Sequence, residues 1–286
     1  MLCAALVANP AAAQDIAGPW VDGERHRLRM IAGAIPDAAP GTVMAFVEMA
    51  MDRGWKTYWK NPGTAGGIPP EFDWSKSTNV QSAEVLFPVP LVMSDSAGDV
   101  IGYREYAIFP VRITPANVAA PVVLDVTANY GICEKLCVPA ETSLSLTIPS
   151  GPLPSAGADA ERAYGAVPRN TANLKPGDPT GLTVERPSEA PGLMRLTARF
   201  PGDAAGAAMY LAVADGRYLP LPVRGAAGDE TITFDVTFSN VDDLNALKGA
   251  TVTVVMSGEK GQSEDSFVVD GQTLTDEAPG PIQKSE

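Results

Sequence analysis

The chain has 286 residues, 45% of them hydrophobic, enough to bury the cores of two domains of ordinary size. Its 27 glycines and 26 prolines break it into many short segments, which favours an all-β architecture over long helices. A net charge of −13 argues against nucleic acid and against an anionic membrane surface as partners, since both call for clustered Lys and Arg.

Residues 1–14 read MLCAALVANPAAAQ, a short apolar run followed by the small residues Ala11, Ala12 and Ala13 that signal peptidase prefers. The basic start of a signal peptide is missing, so residues 1–13 are expected to be the end of a signal peptide truncated at its N-terminus. Cleavage after Ala13 removes Cys3. A lipidated Cys3 is disfavoured, because Met1 and Leu2 are too few preceding residues. No later run approaches the roughly 18 apolar residues of a membrane helix, so a soluble periplasmic protein without a membrane span is expected. Of the three cysteines only Cys133 and Cys137 then remain, to pair with each other or to react with something else.

In residues 24–31 (ERHRLRMI), His26, Leu28 and Met30 alternate with Arg25, Arg27 and Arg29, the pattern of an edge or half-exposed strand. Residues 43–51 (VMAFVEMAM) form a denser apolar run and read as a central strand. Residues 54–63 (GWKTYWKNPG) hold Trp55, Tyr58 and Trp59 ahead of a turn signal, and read as a loop with large anchors. Phe72, Trp74 and residues 87–90 (FPVP) continue this proline-punctuated style. Residues 100–113 and 122–130 read as strands, the second with Val122, Leu124, Val126, Ala128 and Tyr130 on one face. Residues 143–148 (SLSLTI) alternate again, so the two cysteines sit at the top of a hairpin.

Residues 151–180 are rich in Gly, Pro, Ala and Asn and read as an interdomain linker, with a short helix at 158–166. Strand patterns resume at 182–185, 193–200, 207–214, 231–238, 251–256 and 263–269. One or two helical turns fall at 240–248, with Asn240 as cap and Gly249 as stop. Six strands at this spacing suggest a second sandwich over 181–270. It holds no Cys and no His. Residues 271–286 are polar and read as a disordered tail.

Residues 130–139 (YGICEKLCVP) carry the chemistry. A disulfide needs Cα atoms roughly 4.4–6.8 Å apart, whereas four steps of extended strand span about 13 Å, so the chain must turn between Cys133 and Cys137. Pro139 restricts the backbone just beyond. Closing so small a ring stabilises by only about 2 kcal/mol in the chain-entropy model, against roughly 4.7 kcal/mol for a 100-residue loop. A short disulfide at a hairpin tip therefore suits exchange better than it suits holding a fold. Lys135 would favour a thiolate and Glu134 would oppose it. Two other readings use the same cysteines. One is Cu(I) binding, because C-x3-C followed by Pro resembles the copper motif of Sco proteins. Those proteins supply a histidine downstream, whereas the one histidine here, His26, lies far upstream. Met44, Met49 and Met51 are the methionines to inspect for that role. The other reading is a β-sandwich adaptor with a static disulfide.

Five motifs in order, GWKTYWKNPGTAGGIPPEFDW (residues 54–74), FPVP (87–90), GY (102–103), FPV (109–111) and YGICEKLCVP (130–139), resemble the N-terminal periplasmic domain of the DsbD family, and most of all its ScsB-type branch. The resemblance covers roughly residues 14–149, which makes 14–150 the expected redox sandwich. It implies an immunoglobulin-like fold, hence two immunoglobulin-like β-sandwich domains in tandem, and a dithiol that takes electrons from a partner and reduces periplasmic disulfide proteins. It also implies that Cys137 attacks and Cys133 resolves. The catalytic residues expected are Cys133 and Cys137, surrounded by Tyr130, Trp55, Tyr58, Trp59 and Pro139. The three residues of the aromatic segment either pack as core or wall the cysteines. No cofactor and no metal is expected. The expected partners are thioredoxin-like or disulfide isomerase-like periplasmic proteins. Family members carry a membrane domain and a thioredoxin-like domain after this region. Neither follows here, so a separate membrane electron donor is expected. DsbD spaces its cysteines more widely, so its tip geometry need not transfer.

Overall fold

Period-two alternation carries most of this chain into strands. The computed structural model describes residues 16–95, 98–202, 204–228 and 230–269. The expected signal peptide and the expected tail lie outside the described residues.

The first unit contains β1 (Ile16–Ala17), β2 (Val21–Gly23), β3 (His26–Ala32), β4 (Val43–Met51), β5 (Lys56–Tyr58), β6 (Glu71–Asp73), β7 (Val80–Val85), β8 (Leu91–Asp95), β9 (Gly98–Arg104), β10 (Tyr106–Pro115), β11 (Val122–Cys133) and β12 (Cys137–Ile148). One sheet runs β1-β3-β4-β10-β7 with β2 also on β3, and the other runs β12-β11-β5-β9-β8 with β6 on β11. Their facing sides bury Leu28, Met30, Val47, Val111, Leu124 and Val126, among others, in one core. The alternation of β3 is as expected, with Leu28 and Met30 buried and Arg27 exposed. Yet β3 is not an edge strand, because β4 pairs on one side and β1 and β2 on the other. Side-chain alternation reports which face is buried and says nothing of which backbone edges are paired.

Residues 100–113, which read as one strand, are parts of two strands in different sheets. The break is Glu105, whose φ of 63° is left-handed. Its N–H donates to the Trp55 carbonyl at 2.9 Å and its carbonyl accepts from the Met51 N–H at 2.7 Å. Its carboxylate accepts from the Gly54 N–H at 3.0 Å. Long-range partners hold this corner, and no Gly or Pro marks it. The aromatic segment departs from expectation as well. It is no loop at residues 56–58, where β5 pairs with β9 on one side and with β11 on the other.

The region read as a linker contains α1 (Ala158–Gly165), as expected of residues 158–166. Its Ala160 packs with Met44, Phe46 and Ile108 on the side of the first sheet away from the main core. The second unit contains β13 (Arg169–Asn170), β14 (Thr180–Glu185), β15 (Leu193–Arg199), β16 (Ala208–Val213), β17 (Val223–Ala227), β18 (Thr231–Thr237), β19 (Thr251–Ser257) and β20 (Gln262–Val268). They form the sheets β13-β20-β19-β16 and β14-β15-β18-β17 around a second core that includes Leu196, Leu211, Phe234 and Val254. Before β19 comes α2 (Val241–Asn245), capped by Asn240, whose Oδ1 accepts from the Asp243 N–H at 2.9 Å. The sequence pattern omits β17, whose residues are all exposed and so show no alternation.

The outer side of β16 and β19 is covered too. Met209, Leu211 and Val254 face the second core, whereas Tyr210, Ala212 and Val255 join the core of the first unit. Two-sided burial explains why every residue from Met209 to Val213 is buried. The fold is all-β and immunoglobulin-like, built from antiparallel sheets with few helices.

Candidate functional site

The β11–β12 hairpin runs in unbroken register from Val122↔Ile148 to Cys133↔Cys137, leaving residues 134–136 as its tip. Directly opposed residues of an antiparallel ladder have Cα atoms about 4.5–5.5 Å apart, inside the window a disulfide requires. The register alone therefore places the two cysteines as a bondable pair. Both are free thiols, and their Sγ atoms lie 2.7 Å apart. Their exposure differs: Cys133 is only 5% exposed, whereas Cys137 is open to solvent. Leu136, between them at the tip, is 78% exposed.

Strand β5 supplies the rest. Along it Trp55 and Trp59 join the main core, while Tyr58 lies with Cys133, Met93 and Val100 in a separate cluster. Cys133 pairs directly with Lys56, which in turn opposes Arg104. The Lys56 Nζ donates to the Glu134 carbonyl at 3.2 Å and so ties the hairpin tip to β5. The Tyr58 ring occupies a slot between two glycines. A Cβ on Gly67 would lie 2.3 Å from its Cε1, and one on Gly131 would lie 3.0 Å from its Cε2. From that slot the hydroxyl reaches Cys137 Sγ at 2.7 Å. The Thr57 hydroxyl donates to the Gly131 carbonyl at 2.9 Å, and the Gly131 N–H donates to the Ile68 carbonyl at 2.9 Å.

Burial, reinforced by hydrogen bonds to Cys137 and Cys133, pushes the Tyr58 hydroxyl far above the ordinary phenol range. It keeps its proton across the physiological range and can donate a hydrogen bond to a sulfur that ionises. Burial also pushes the Cys133 thiol up, helped by the neighbouring Cys137. The Tyr58 hydrogen bond and the Lys56 charge pull the other way. The outcome is an asymmetric pair, with one buried sulfur that holds its proton and one sulfur that solvent or a protein can reach.

The other residues singled out in the sequence take different places. Trp59 is fully buried, its ring 6.0 Å from that of Tyr210, and it does not wall the cysteines. Trp55 is half-buried against the same core. Of the three aromatics, the structure brings Tyr58 to the sulfurs. Tyr130 points to the core side of β11, where its hydroxyl bonds Thr142 Oγ1 at 2.7 Å and His26 Nε2. Pro139 is exposed and opposes Gly131 on the edge strand β12, where a residue without an N–H is tolerated. Met44, Met49 and Met51 are buried along β4 in the other sheet. Among the described residues, no three His, Cys, Asp or Glu side chains are grouped to hold a metal.

Sequence reasoning missed Lys56, Gly67 and Met93. Lys56 and Tyr58 alternate with Thr57 and Trp59 as a strand should, but three large aromatics before a turn masked that signal. Gly67 is needed where the Tyr58 ring presses on its backbone, a contact that no local pattern announces.

Residues 32–149 match the family described as thiol:disulfide interchange protein DsbD, N-terminal. No curated protein sequence matches the chain. Among solved structures, the chain is similar to the N-terminal periplasmic domain of ScsB from Proteus mirabilis. The TM-score is 0.66 at 18% identity, over 90% of this chain and 99% of that one.

Proposed function

We propose that this chain, whose residues 32–149 are a DsbD-family N-terminal domain, acts in the periplasm by thiol–disulfide exchange and passes reducing equivalents from the Cys133/Cys137 dithiol to partner proteins. The observation that carries the reading is the asymmetry of the pair: opposed in one hairpin, sulfurs 2.7 Å apart, Cys133 buried and Cys137 exposed.

The exchange runs in two displacements. The Cys137 thiolate attacks one sulfur of a partner's disulfide. That S–S bond breaks, the partner's other sulfur leaves as a thiolate and takes a proton, and a mixed disulfide joins the two proteins. Cys133 then gives up its proton, and its thiolate attacks Cys137 Sγ. The intermolecular bond breaks, the partner leaves as a dithiol, and Cys133–Cys137 becomes a disulfide. Two electrons and two protons have passed to the partner. Tyr58 donates a hydrogen bond to Cys137 whenever that sulfur carries charge. Lys56 favours the Cys133 thiolate in the second step. The partner is a thioredoxin-like or disulfide isomerase-like protein, and an electron donor returns this chain to the dithiol.

The test is trapping. Cys133→Ser leaves the attacking sulfur and removes the resolving one, so a mixed disulfide with a periplasmic protein should accumulate and disappear on reduction. Cys137→Ser should form none and should lose turnover. A Cys133→Ser protein that captures no partner under oxidising conditions refutes the proposal.

A further inference from the structure

The second unit has no cysteine and no histidine, yet its contacts lead to Cys137. Trp59, the residue after β5, lies against Tyr210 of β16 with ring centroids 6.0 Å apart. Asn61 is 1% exposed, and its Nδ2 donates to the carbonyls of Leu211 at 2.9 Å and Leu219 at 3.2 Å. Both acceptors belong to the second unit. Leu211 is on β16, an outer strand of its sheet, so Asn61 reaches the backbone of that strand directly. The Asn61 Oδ1 accepts from the Gly63 N–H at 3.1 Å and starts the next turn. At the far end of that turn the Tyr218 hydroxyl donates to the Gly67 carbonyl at 2.7 Å.

Residues 61–68 are thus pinned at both ends by the second unit, and they form the roof of the thiol site. Gly67 presses on the Tyr58 ring, and the Ile68 carbonyl holds the Gly131 N–H at 2.9 Å. The Tyr58 hydroxyl, 2.7 Å from Cys137 Sγ, is at the end of this chain of contacts. Side chains that hydrogen-bond from one unit to backbone carbonyls of the other fix an arrangement that would slide if the interface were apolar alone.

We infer that the second sandwich is a positioning part of the thiol site: through Tyr218 and the carbonyls of Leu211 and Leu219 it holds residues 61–68 down on Tyr58, and so sets the access and reactivity of Cys137. Tyr218 is a positioning residue and touches neither sulfur. The inference rests on Cys133 and Cys137 being the exchanging pair.

The test uses the full chain, reduced, with iodoacetamide as the probe and peptide mass spectrometry to follow each cysteine. Tyr218→Phe keeps the half-exposed ring and removes the hydroxyl, so the fold should be retained, with an unchanged circular dichroism spectrum. Cys137 should then alkylate faster by about threefold or more, the scale of coupling within one hydrogen-bond network. In a Tyr58→Phe background the same change should add little, because the path ends at Tyr58. A purely structural role would lower the melting temperature and leave the alkylation rate at Cys137 untouched. Unchanged alkylation in Tyr218→Phe, or full additivity with Tyr58→Phe, overturns the inference. Asn61→Ala, read the same way, tests the other pin. Alkylation reports the thiols whether or not a protein partner exists, so its outcome is independent of the trapping experiment.

Discussion

Tyr58→Phe isolates one atom of the proposed site. The ring is fully buried between Gly67 and Gly131, and phenylalanine fills the same slot, so packing is preserved. What is lost is the hydroxyl 2.7 Å from Cys137 Sγ. In the dithiol that hydroxyl has a sulfur partner that can carry charge. In the disulfide the same sulfur is a poor acceptor, so the bond stabilises the reduced form more. A neutral intramolecular hydrogen bond is worth about 0.5–1.5 kcal/mol net, and for this two-electron couple about 1.4 kcal/mol corresponds to 30 mV. The reduction potential of the variant should therefore fall by roughly 10–30 mV. The assay equilibrates the protein with graded glutathione mixtures, quenches with acid, and counts alkylated thiols by mass. The pH profile gives a second reading. Tyr58 helps to hold the Cys133 thiol down against burial, so its loss should move the rising limb of the second displacement, the decay of the mixed disulfide, to higher pH. A potential that stays put, or becomes less negative, refutes the assignment of Tyr58 as a stabiliser of the reduced pair.

Lys56→Met keeps the length of a buried side chain and removes the charge beside Cys133. The second displacement should slow at neutral pH while the first is little changed, because the Lys56 charge pulls the Cys133 thiol down, and stopped-flow decay of the mixed disulfide measures it. Gly67→Ala places a Cβ 2.3 Å from the Tyr58 ring, and the overpacking should destabilise by about 1–3 kcal/mol, seen as a lower melting temperature together with altered Cys137 alkylation. The buried Asp178 accepts a bidentate pair from Arg169 at 2.6 and 2.5 Å. Burial would raise its carboxyl, but the hydrogen bonds from Arg169 and from the Lys175 backbone outweigh this and hold it below 3.8. A depressed folded-state value means that this stability is present above the unfolded value and is lost as pH falls through the folded one. Asp178→Asn should therefore cost stability at neutral pH and flatten the decline below about pH 4, measured by denaturant unfolding across pH.

The fold class and the place of the cysteines were legible in local pattern. The alternation in residues 122–130 and 143–148 defines a hairpin, and the spacing of Cys133 and Cys137 forces a turn between them. The helix at 240–248 carried its own start and stop signals, Asn240 and Gly249. Where the pattern misled, a long-range contact had replaced a local one. Glu105 turns the chain with a left-handed backbone held by Gly54, Trp55 and Met51, so no turn residue announces it. Strand β5 is only three residues long, and its identity comes from its partners, β9 and β11.

The sequence by itself determined that two thiols would meet in a β framework, because side-chain alternation and a four-residue spacing are local properties of a chain. Only the tertiary structure decided that Cys133 is hidden and Cys137 open, that Tyr58 rather than Trp59 reaches the sulfur, and that Lys56 stands across from Cys133. Those outcomes depend on which strands become neighbours and in what register. A shift of one residue in β5 would turn Lys56 and Tyr58 into the core and Thr57 and Trp59 toward the cysteines.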